Sequence, residues 1–313
     1  MKLKKPKFWD YEKPNFLSYL LLPFTFPVIV NNFFLNFKKK NTFNSKIKTI
    51  CIGNIYIGGT AKTPLTIKIY SILNSLKFKT ATIKKFYEGH IDEQTMLTTK
   101  TNLYCLKNRK AALYEALKDN IEVAIFDDGL QDQSMNYDLK LVCFNNIKWI
   151  GNGFLIPAGP LREKIESILK YDVAFINGNE KDNSKIRSLI KKHNKDILIF
   201  ECYYNPININ EFDTSDKYVI FSGIGNPESF REILSKNKLN IVKEIIFPDH
   251  YRYTESDLAK IRLLAKNLSA KIITTEKDFI KINNNRNDDI KFLNIDLVIK
   301  EEKQLIDYLR SNL

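Results

Sequence analysis

Histidine and cysteine are both scarce: three and four residues respectively among 313, with no two cysteines in a C-x-x-C pair. That removes a structural zinc ribbon, a redox dithiol and a disulfide scaffold from the candidate classes. Cys51, Cys105, Cys143 and Cys202 are isolated, and three of them sit in apolar runs that read as strands, where a thiol behaves as a small hydrophobe in a reducing compartment. Arginine is scarce beside lysine, and no RNA-binding signature with paired aromatics and no zinc-finger spacing occurs, so no nucleic-acid partner is expected. The guanine-reading Asn-Lys-x-Asp signature is missing, which excludes a GTPase switch. There is no internal repeat. Acidic residues are outnumbered, 36 against 49 basic ones, leaving a formal charge of +13. Such a surface suits an anionic membrane face or a polyanionic substrate such as a nucleotide.

What the chain has in quantity is apolar and aromatic residue: 44% hydrophobic, with 21 phenylalanines and 15 tyrosines. With 27% charged residues this is the balance of a folded protein, and the length admits two compact domains. We expect an N-terminal segment over 1–45, a core over 46–195 and a second lobe over 196–313.

Phe16 to Phe37 form an aromatic-rich apolar run, with lysines before it and Lys38, Lys39 and Lys40 directly after. Its length is near that of a bilayer span, about 20 residues. Pro23 and Pro27 each remove a backbone donor, however, and Asn31 and Asn32 interrupt the run, so an uninterrupted spanning helix would be strained. A kinked helix lying in the membrane interface fits better, with Trp9, Tyr11 and Tyr19 at headgroup level and the lysines facing anionic lipid. A soluble helix pair packed on the domain is the competing reading. A secretory signal is disfavoured, because no small-residue cleavage site follows.

Beyond the basic linker the pattern becomes α/β. Ile47–Asn54, Lys79–Ile83, Val123–Phe126, Leu139–Phe144 and Asp172–Asn177 read as strands, with helices from Lys62 and over Arg109–Asp119. A second series starts near Ile197, with helices after Pro227 and Thr254. Strands alternating with helices predict a mostly parallel sheet wound on both faces.

Two segments carry chemistry. Gly53–Pro64, GNIYIGGTAKTP, follows a strand and opens a helix, the setting in which backbone N–H groups and the helix dipole receive phosphate. Tyr56, Ile57, Gly58, Gly59, Thr60, Ala61, Lys62 and Thr63 form this candidate loop; Lys62 can reach the outer phosphates and Thr63 can hold magnesium. A strict phosphate-loop pattern places glycine where this chain has Tyr56 and Ala61. The second segment, IEVAIFDDGLQD, ends a strand with Asp127 and Asp128. Alone the pair reads as a turn or a helix cap; beside Lys62 and Thr63 it reads as a magnesium site beyond the carboxyl end of a parallel strand.

The order and spacing of GNIYIGGTAKTP, DDGLQ, GNGFLIPAGPLRE (Gly151–Glu163), GIGNP (Gly223–Pro227), FPDHY (Phe247–Tyr251) and TEKD (Thr275–Asp278) resemble the tetraacyldisaccharide 4'-kinase family across nearly the whole chain. The resemblance implies a P-loop NTPase-like, mostly parallel sheet with a second Rossmann-like lobe and an N-terminal membrane-associated helix. It implies magnesium and ATP as cofactors, a lipid A precursor disaccharide phosphate as acceptor, and the cytoplasmic face of a Gram-negative inner membrane as location. It casts Asp92 as the base that takes the sugar hydroxyl proton, His250 as its partner and Lys62 as the third catalytic residue. Arg162 and, beside it, Gln131 and Glu93 become candidate contacts to substrate or phosphate, with Glu163 fixing Arg162. On the residues alone, Arg162 reads equally as a surface salt bridge. Gly225, Asn226 and Glu276–Asp278 are expected at the interlobe face, and His90 and His193 have no role.

The chain departs from the family pattern at three places. Ala61 replaces a glycine, Asp132 replaces a histidine after DDGLQ, and the short stretch IKKFYEGH (Ile83–His90) stands in for a Ser-Arg-Gly-Tyr-Gly loop. A phosphotransferase with a soluble acceptor is the alternative function.

Overall fold

The computed structural model describes residues 5–37, 47–132, 134–178, 182–282 and 287–313, with backbone alone for 33–37. The strands in chain order are β1 Lys48–Gly53, β2 Thr80–Lys85, β3 Leu103–Leu106, β4 Val123–Asp127, β5 Leu139–Asn145, β6 Val173–Asn177, β7 Leu198–Pro206, β8 Lys217–Ser222, β9 Asn240–Ile246, β10 Lys271–Thr275, β11 Ile290–Leu293 and β12 Ile295–Ile299. The helices are α1 Phe16–Leu21, α2 Phe26–Phe37, α3 Lys62–Ser75, α4 Ile91–Lys100, α5 Arg109–Lys118, α6 Ser184–His193, α7 Pro227–Lys236, α8 Glu255–Asn267, α9 Glu276–Ile282 and α10 Glu302–Asn312.

Two sheets result. The larger runs β12-β7-β6-β5-β1-β4-β2-β3 and the smaller β11-β10-β8-β9. All pairings are parallel except β12 against β7. Parallel strands covered on both faces must be apolar on both, and β1, β4, β5 and β6 are buried almost along their whole length. One face of the larger sheet packs under Leu65, Ile69, Ile72 and Leu73 of α3 and Leu305 and Leu309 of α10. The other is covered by Ala112, Leu113 and Ala116 of α5 and by Ile190 of α6. The smaller sheet is likewise sandwiched, by Phe230, Ile233 and Leu234 of α7 and by Leu258, Ile261 and Ala265 of α8. This is the expected α/β arrangement with a second lobe.

Sheet membership cuts across the division expected at residue 196. β7 pairs with β6, and the chain returns from the second lobe to add β12 and α10 to the first. The physical reason is burial: Phe200, Cys202, Leu297 and Ile299 complete the apolar layer beneath α3 and α10. The chain therefore crosses between the lobes twice.

At the N-terminus, α1 and α2 are separated by a 3-10 turn over Leu22–Thr25 with Pro23 in its first positions, the kink that Pro23 predicts. Phe16, Leu17, Tyr19, Leu20, Phe24 and Phe26 are exposed, while Ser18 and Thr25 are buried. The segment is fixed to the body by polar contacts: Trp9 Nε1 donates to the Pro157 carbonyl, Asn152 Nδ2 to Ser18 Oγ, and Asn32 Nδ2 to the Arg162 carbonyl. Asn32, which interrupts the apolar run in sequence, thus serves as an anchor. Among the described residues no helix is long and apolar enough to cross a membrane. Lys38, Lys39 and Lys40 lie outside the described residues.

Candidate active site

Sheet register brings the two chemical segments together. β1 and β4 are adjacent and parallel, with Ile52 opposite Asp127, so the loop after Gly53 and the acid pair after Phe126 leave the sheet side by side. Lys62 Nζ lies 3.7 Å from Asp128 Oδ1. Thr63 and Thr66, both from the first turns of α3, donate to the two oxygens of Asp127 at 3.2 Å each. Asn54 Nδ2 donates to Thr60 Oγ1 at 2.8 Å, closing the loop on itself. Gly58 has φ +135, a conformation side chains avoid. Ala61 is left-handed at φ 67, which costs an alanine roughly 1–2 kcal/mol. Its methyl is buried in the core beneath α3, an offset that accounts for alanine at a position where glycine would be easier.

Tyr56 departs from its expected place in the loop. Its ring is buried under Leu155 and Leu161, and its hydroxyl meets Lys5 and Asp10 of the N-terminal segment, so it faces away from the cleft that Ile57 through Thr63 line.

Asp128 is held ionised. Burial works to raise the Asp128 carboxyl, but Lys62 and Arg162 more than offset it and hold it well below the usual carboxylate range. Arg162 donates to Asp128 Oδ1 at 2.9 Å and to Gln131 Oε1 at 3.1 Å. Glu163 accepts from Gln131 and from Tyr171, so it steadies Arg162 through Gln131 and not by the direct contact expected. Asp132 pairs with Arg109 at 2.9 Å, and Arg109 also donates to the Asp128 carbonyl. The residue that departs from the family pattern therefore braces the backbone of the acid pair.

The second lobe supplies the opposite wall. His250 follows β9 and is itself left-handed at φ 56, with its N–H donating to the Gly223 carbonyl and Asp249 Oδ1. Its Nδ1 lies 3.0 Å from both oxygens of Asp92, in the first turn of α4. Burial pushes the Asp92 carboxyl up, but the His250 contact, Lys277 and Lys281 overcome that and hold it far below its ordinary value. An ionised carboxylate only accepts, so His250 Nδ1 carries the proton.

Three lysines that the sequence reading left without roles complete the site. Lys84, at the end of β2, is almost fully buried and bridges Asp127 Oδ2 and Glu93 Oε2. Burial opposes its charge, but Asp127 and Glu93 raise it above the ordinary lysine value. Lys277, whose place at a strand end near the lobe interface was expected, reaches Glu93 at 3.2 Å, Asp249 at 3.5 Å and Asp92 at 3.6 Å. Lys281 bonds Asp278 at 2.6 Å and lies 3.8 Å from Asp92. The signal for Lys84 was a lysine directly following the buried run Thr80–Ile83.

Between these walls is a cavity of about 340 Å³ lined by the phosphate loop, Glu93, Asp128, Arg162, Asn226, His250 and Lys277. Its lobes touch closely: a Cβ on Gly225 would stand 2.4 Å from the Gly59 nitrogen. A space lined by the loop that carries Lys62 and by His250, with the ionised and buried Asp92 held against that imidazole, suits a phosphorylated donor and a hydroxyl acceptor.

Comparison with known proteins agrees. The family model described as tetraacyldisaccharide-1-P 4'-kinase matches residues 16–313. The chain belongs to the tetraacyldisaccharide-1-P 4'-kinase family. It is 49% identical to the tetraacyldisaccharide 4'-kinase of Pelagibacter ubique, over 99% of this chain and 98% of that one. With the corresponding enzyme of Rickettsia bellii it shares 33% identity over 98% of both chains. A crystal structure of LpxK from Aquifex aeolicus, described as an "apo" form in complex with ATP, matches with a TM-score of 0.67 at 20% identity, covering 95% of this chain and 99% of that one. That likeness is one of fold. This kinase is a phosphotransferase of lipid A biosynthesis, acting on the 4'-hydroxyl of a tetraacyldisaccharide 1-phosphate.

Proposed function

We propose that the phosphoryl donor is ATP with magnesium, that the loop Ile57–Thr63 holds its phosphates, and that Asp92 accepts the proton of the sugar hydroxyl. The observation carrying this reading is the 3.0 Å contact of His250 with Asp92 across the cleft from Lys62. The residues fit magnesium: Thr63, Asp127 and Asp128 are oxygen donors at a strand-to-helix junction, the ligand class a hard cation takes. When bound, the ion neutralises charge on the phosphate oxygens. Lys84 already engages Asp127 Oδ2, which favours Thr63 and Asp128 as the nearer donors, with Asp127 acting through Thr63.

Asp92 does not need high basicity. In a loose phosphoryl-transfer transition state the acceptor hydroxyl keeps its proton until late, so a carboxylate that is always ionised and correctly aimed suffices. Lys277 and Lys281 fix that carboxylate, and His250 Nδ1 sets its orientation. Arg162, steadied by Gln131, is placed to meet a phosphate of donor or acceptor with its planar fork.

The exposed aromatic face of α1 and the start of α2 would rest on an anionic membrane face on the cytoplasmic side, and its anchor at the Arg162 carbonyl brings that surface to the rim of the site. Acyl chains could then stay in the bilayer while the sugar enters the cleft.

Incubation of the purified protein with magnesium-ATP and the disaccharide lipid, followed by mass spectrometry, should show one added phosphate. Lys62→Ala and Asp92→Ala should abolish it while leaving the far-ultraviolet circular dichroism unchanged. Full turnover by Asp92→Ala would remove the base assignment. A chain lacking residues before 38 that kept both lipid turnover and vesicle binding would remove the membrane face.

A further inference from the structure

The stretch that replaces the usual loop ends in His90, and the structure gives that histidine a neighbourhood the phosphotransfer reading does not use. His90 closes a 3-10 turn at the start of α4, and Glu93 follows one helical turn later on the same face. The His90 ring stacks on His250 with centroids 4.3 Å apart and planes 1° from parallel. His90 Nδ1 lies 3.6 Å from Glu93 Oε2, and His250 Nε2 lies 3.7 Å from Glu93 Oε1. One donor atom from each of the three residues falls within 4.8 Å of the other two, the one such group of three among the described residues.

We infer that His90, Glu93 and His250 form a binding site for a zinc-class divalent cation, distinct from the magnesium site at Thr63 and Asp128, and that its occupation inhibits the kinase. Two imidazoles and one carboxylate are borderline-soft donors suited to zinc, and three protein ligands leave a fourth position open to the cleft. His250 Nδ1 donates to the ionised Asp92, the outer-shell arrangement that leaves Nε2 for a metal, and because the stacked rings are parallel the His90 ring must turn for its nitrogen to face the same ion.

The cations at Glu93 are the obstacle and can yield. Lys277 holds Oε1 at 3.2 Å, but Asp249 and Asp92 are alternative partners at 3.5 and 3.6 Å. Lys84 on Oε2 keeps Asp127. Binding would tie α4 of the first lobe to the loop after β9 of the second, clamping the cleft beside Lys62. With His250 Nδ1 kept on Asp92, the cation on Nε2 would stand in the cleft where the acceptor hydroxyl must approach that pair; only this inhibitory part rests on the dyad reading above.

The test uses the full chain, stripped of metal and without nucleotide, so that no phosphate-bound cation confuses the result. Cobalt(II) is titrated as a spectroscopic probe and zinc(II) by calorimetry, for the native chain and for His90→Phe, which keeps a ring against His250 but removes the nitrogen ligand. One equivalent of zinc, visible absorption of four-coordinate cobalt, and at least about tenfold weaker binding in His90→Phe are expected. Equal binding by the two proteins, or no cobalt band in the native chain, overturns the site. In kinase assays at fixed magnesium-ATP, micromolar zinc should inhibit the native enzyme and spare His90→Phe. Equal inhibition of both would overturn the regulatory part, and the binding measurement stands apart from the fate of the Asp92 assignment.

Discussion

His250 Nδ1 lies 3.0 Å from each carboxylate oxygen of Asp92, a residue 158 positions earlier and in the other lobe. On the proposed role of Asp92 as base, the contact makes it competent only when the lobes are together, since the side chains that hold its carboxylate come from the second lobe. It also separates what Asp92 does from what His250 does.

Asp92→Asn keeps the shape but cannot take a proton, and kcat should fall about 10²–10⁴-fold with the KM for ATP little changed. His250→Gln should fall less, about tenfold, because Lys277 and Lys281 still hold the carboxylate. The double variant should be no worse than Asp92→Asn by itself, as expected of residues that act as a unit. Additive losses in steady-state kinetics would show that His250 works independently of Asp92.

Lys84 is the least exposed of the site's lysines, Asp127 beside it is fully buried and Glu93 is largely covered. Lys84→Met should therefore leave Asp127 and Glu93 uncompensated and lower the free energy of unfolding by about 3–5 kcal/mol, read from urea titration. A loss below about 1 kcal/mol would mean that water enters and that the bridge is not a packed one.

Gly225→Ala should hold the lobes apart, because the added methyl meets the Gly59 nitrogen at 2.4 Å and backbone cannot swing aside. The expected cost is about 1–3 kcal/mol, appearing as a drop in kcat/KM of roughly ten- to hundredfold and not as unfolding. Gly89→Ala, where a Cβ meets nothing within 4 Å, is the control and should be neutral. Equal activity of the two variants would be incompatible with a cleft closed by this contact.

Asp92, Glu93 and Asp128 all have depressed carboxyl pKa values; burial opposes the shift in each, and neighbouring cations overcome it. A group whose folded pKa lies below its unfolded value adds stability above the unfolded value, about 4, and loses it as the pH falls toward the folded one. Stability measured by urea midpoint should be level from pH 7 to about 5 and drop steeply below about 4. Asp92→Asn should be less stable at neutral pH but show a shallower acid slope. An unchanged slope would indicate that Asp92 is not held ionised by the fold.

The local chemistry was legible in the chain. Lys62 and Thr63 opening a helix after a strand, and Asp127 and Asp128 closing another, are short-range patterns, and backbone geometry within a few residues dictates them. Pro23 likewise announced the kink between α1 and α2. Other features depend on partners far away in sequence. Tyr56 sits in the phosphate-loop segment by position, yet Leu155, Leu161 and Asp10 claim its ring and hydroxyl. Lys84 lies just past the strand expected over Lys79–Ile83, in the stretch that stands in for the family loop, and only the fold closes Asp127 and Glu93 around it.

By itself, then, the sequence determined the α/β elements, the Gly-rich turn between β1 and α3, the acid pair closing β4 and the apolar amino terminus, because periodicity, helix starts and proline act locally. Only the tertiary structure decided that β7 and β12 close the first lobe, that Arg162 is steadied by Gln131, and that His90 and His250 stack over Glu93. Those outcomes are fixed by burying apolar area and pairing charge between segments that can lie 158 or 184 residues apart in sequence, and no local pattern encodes which partners meet.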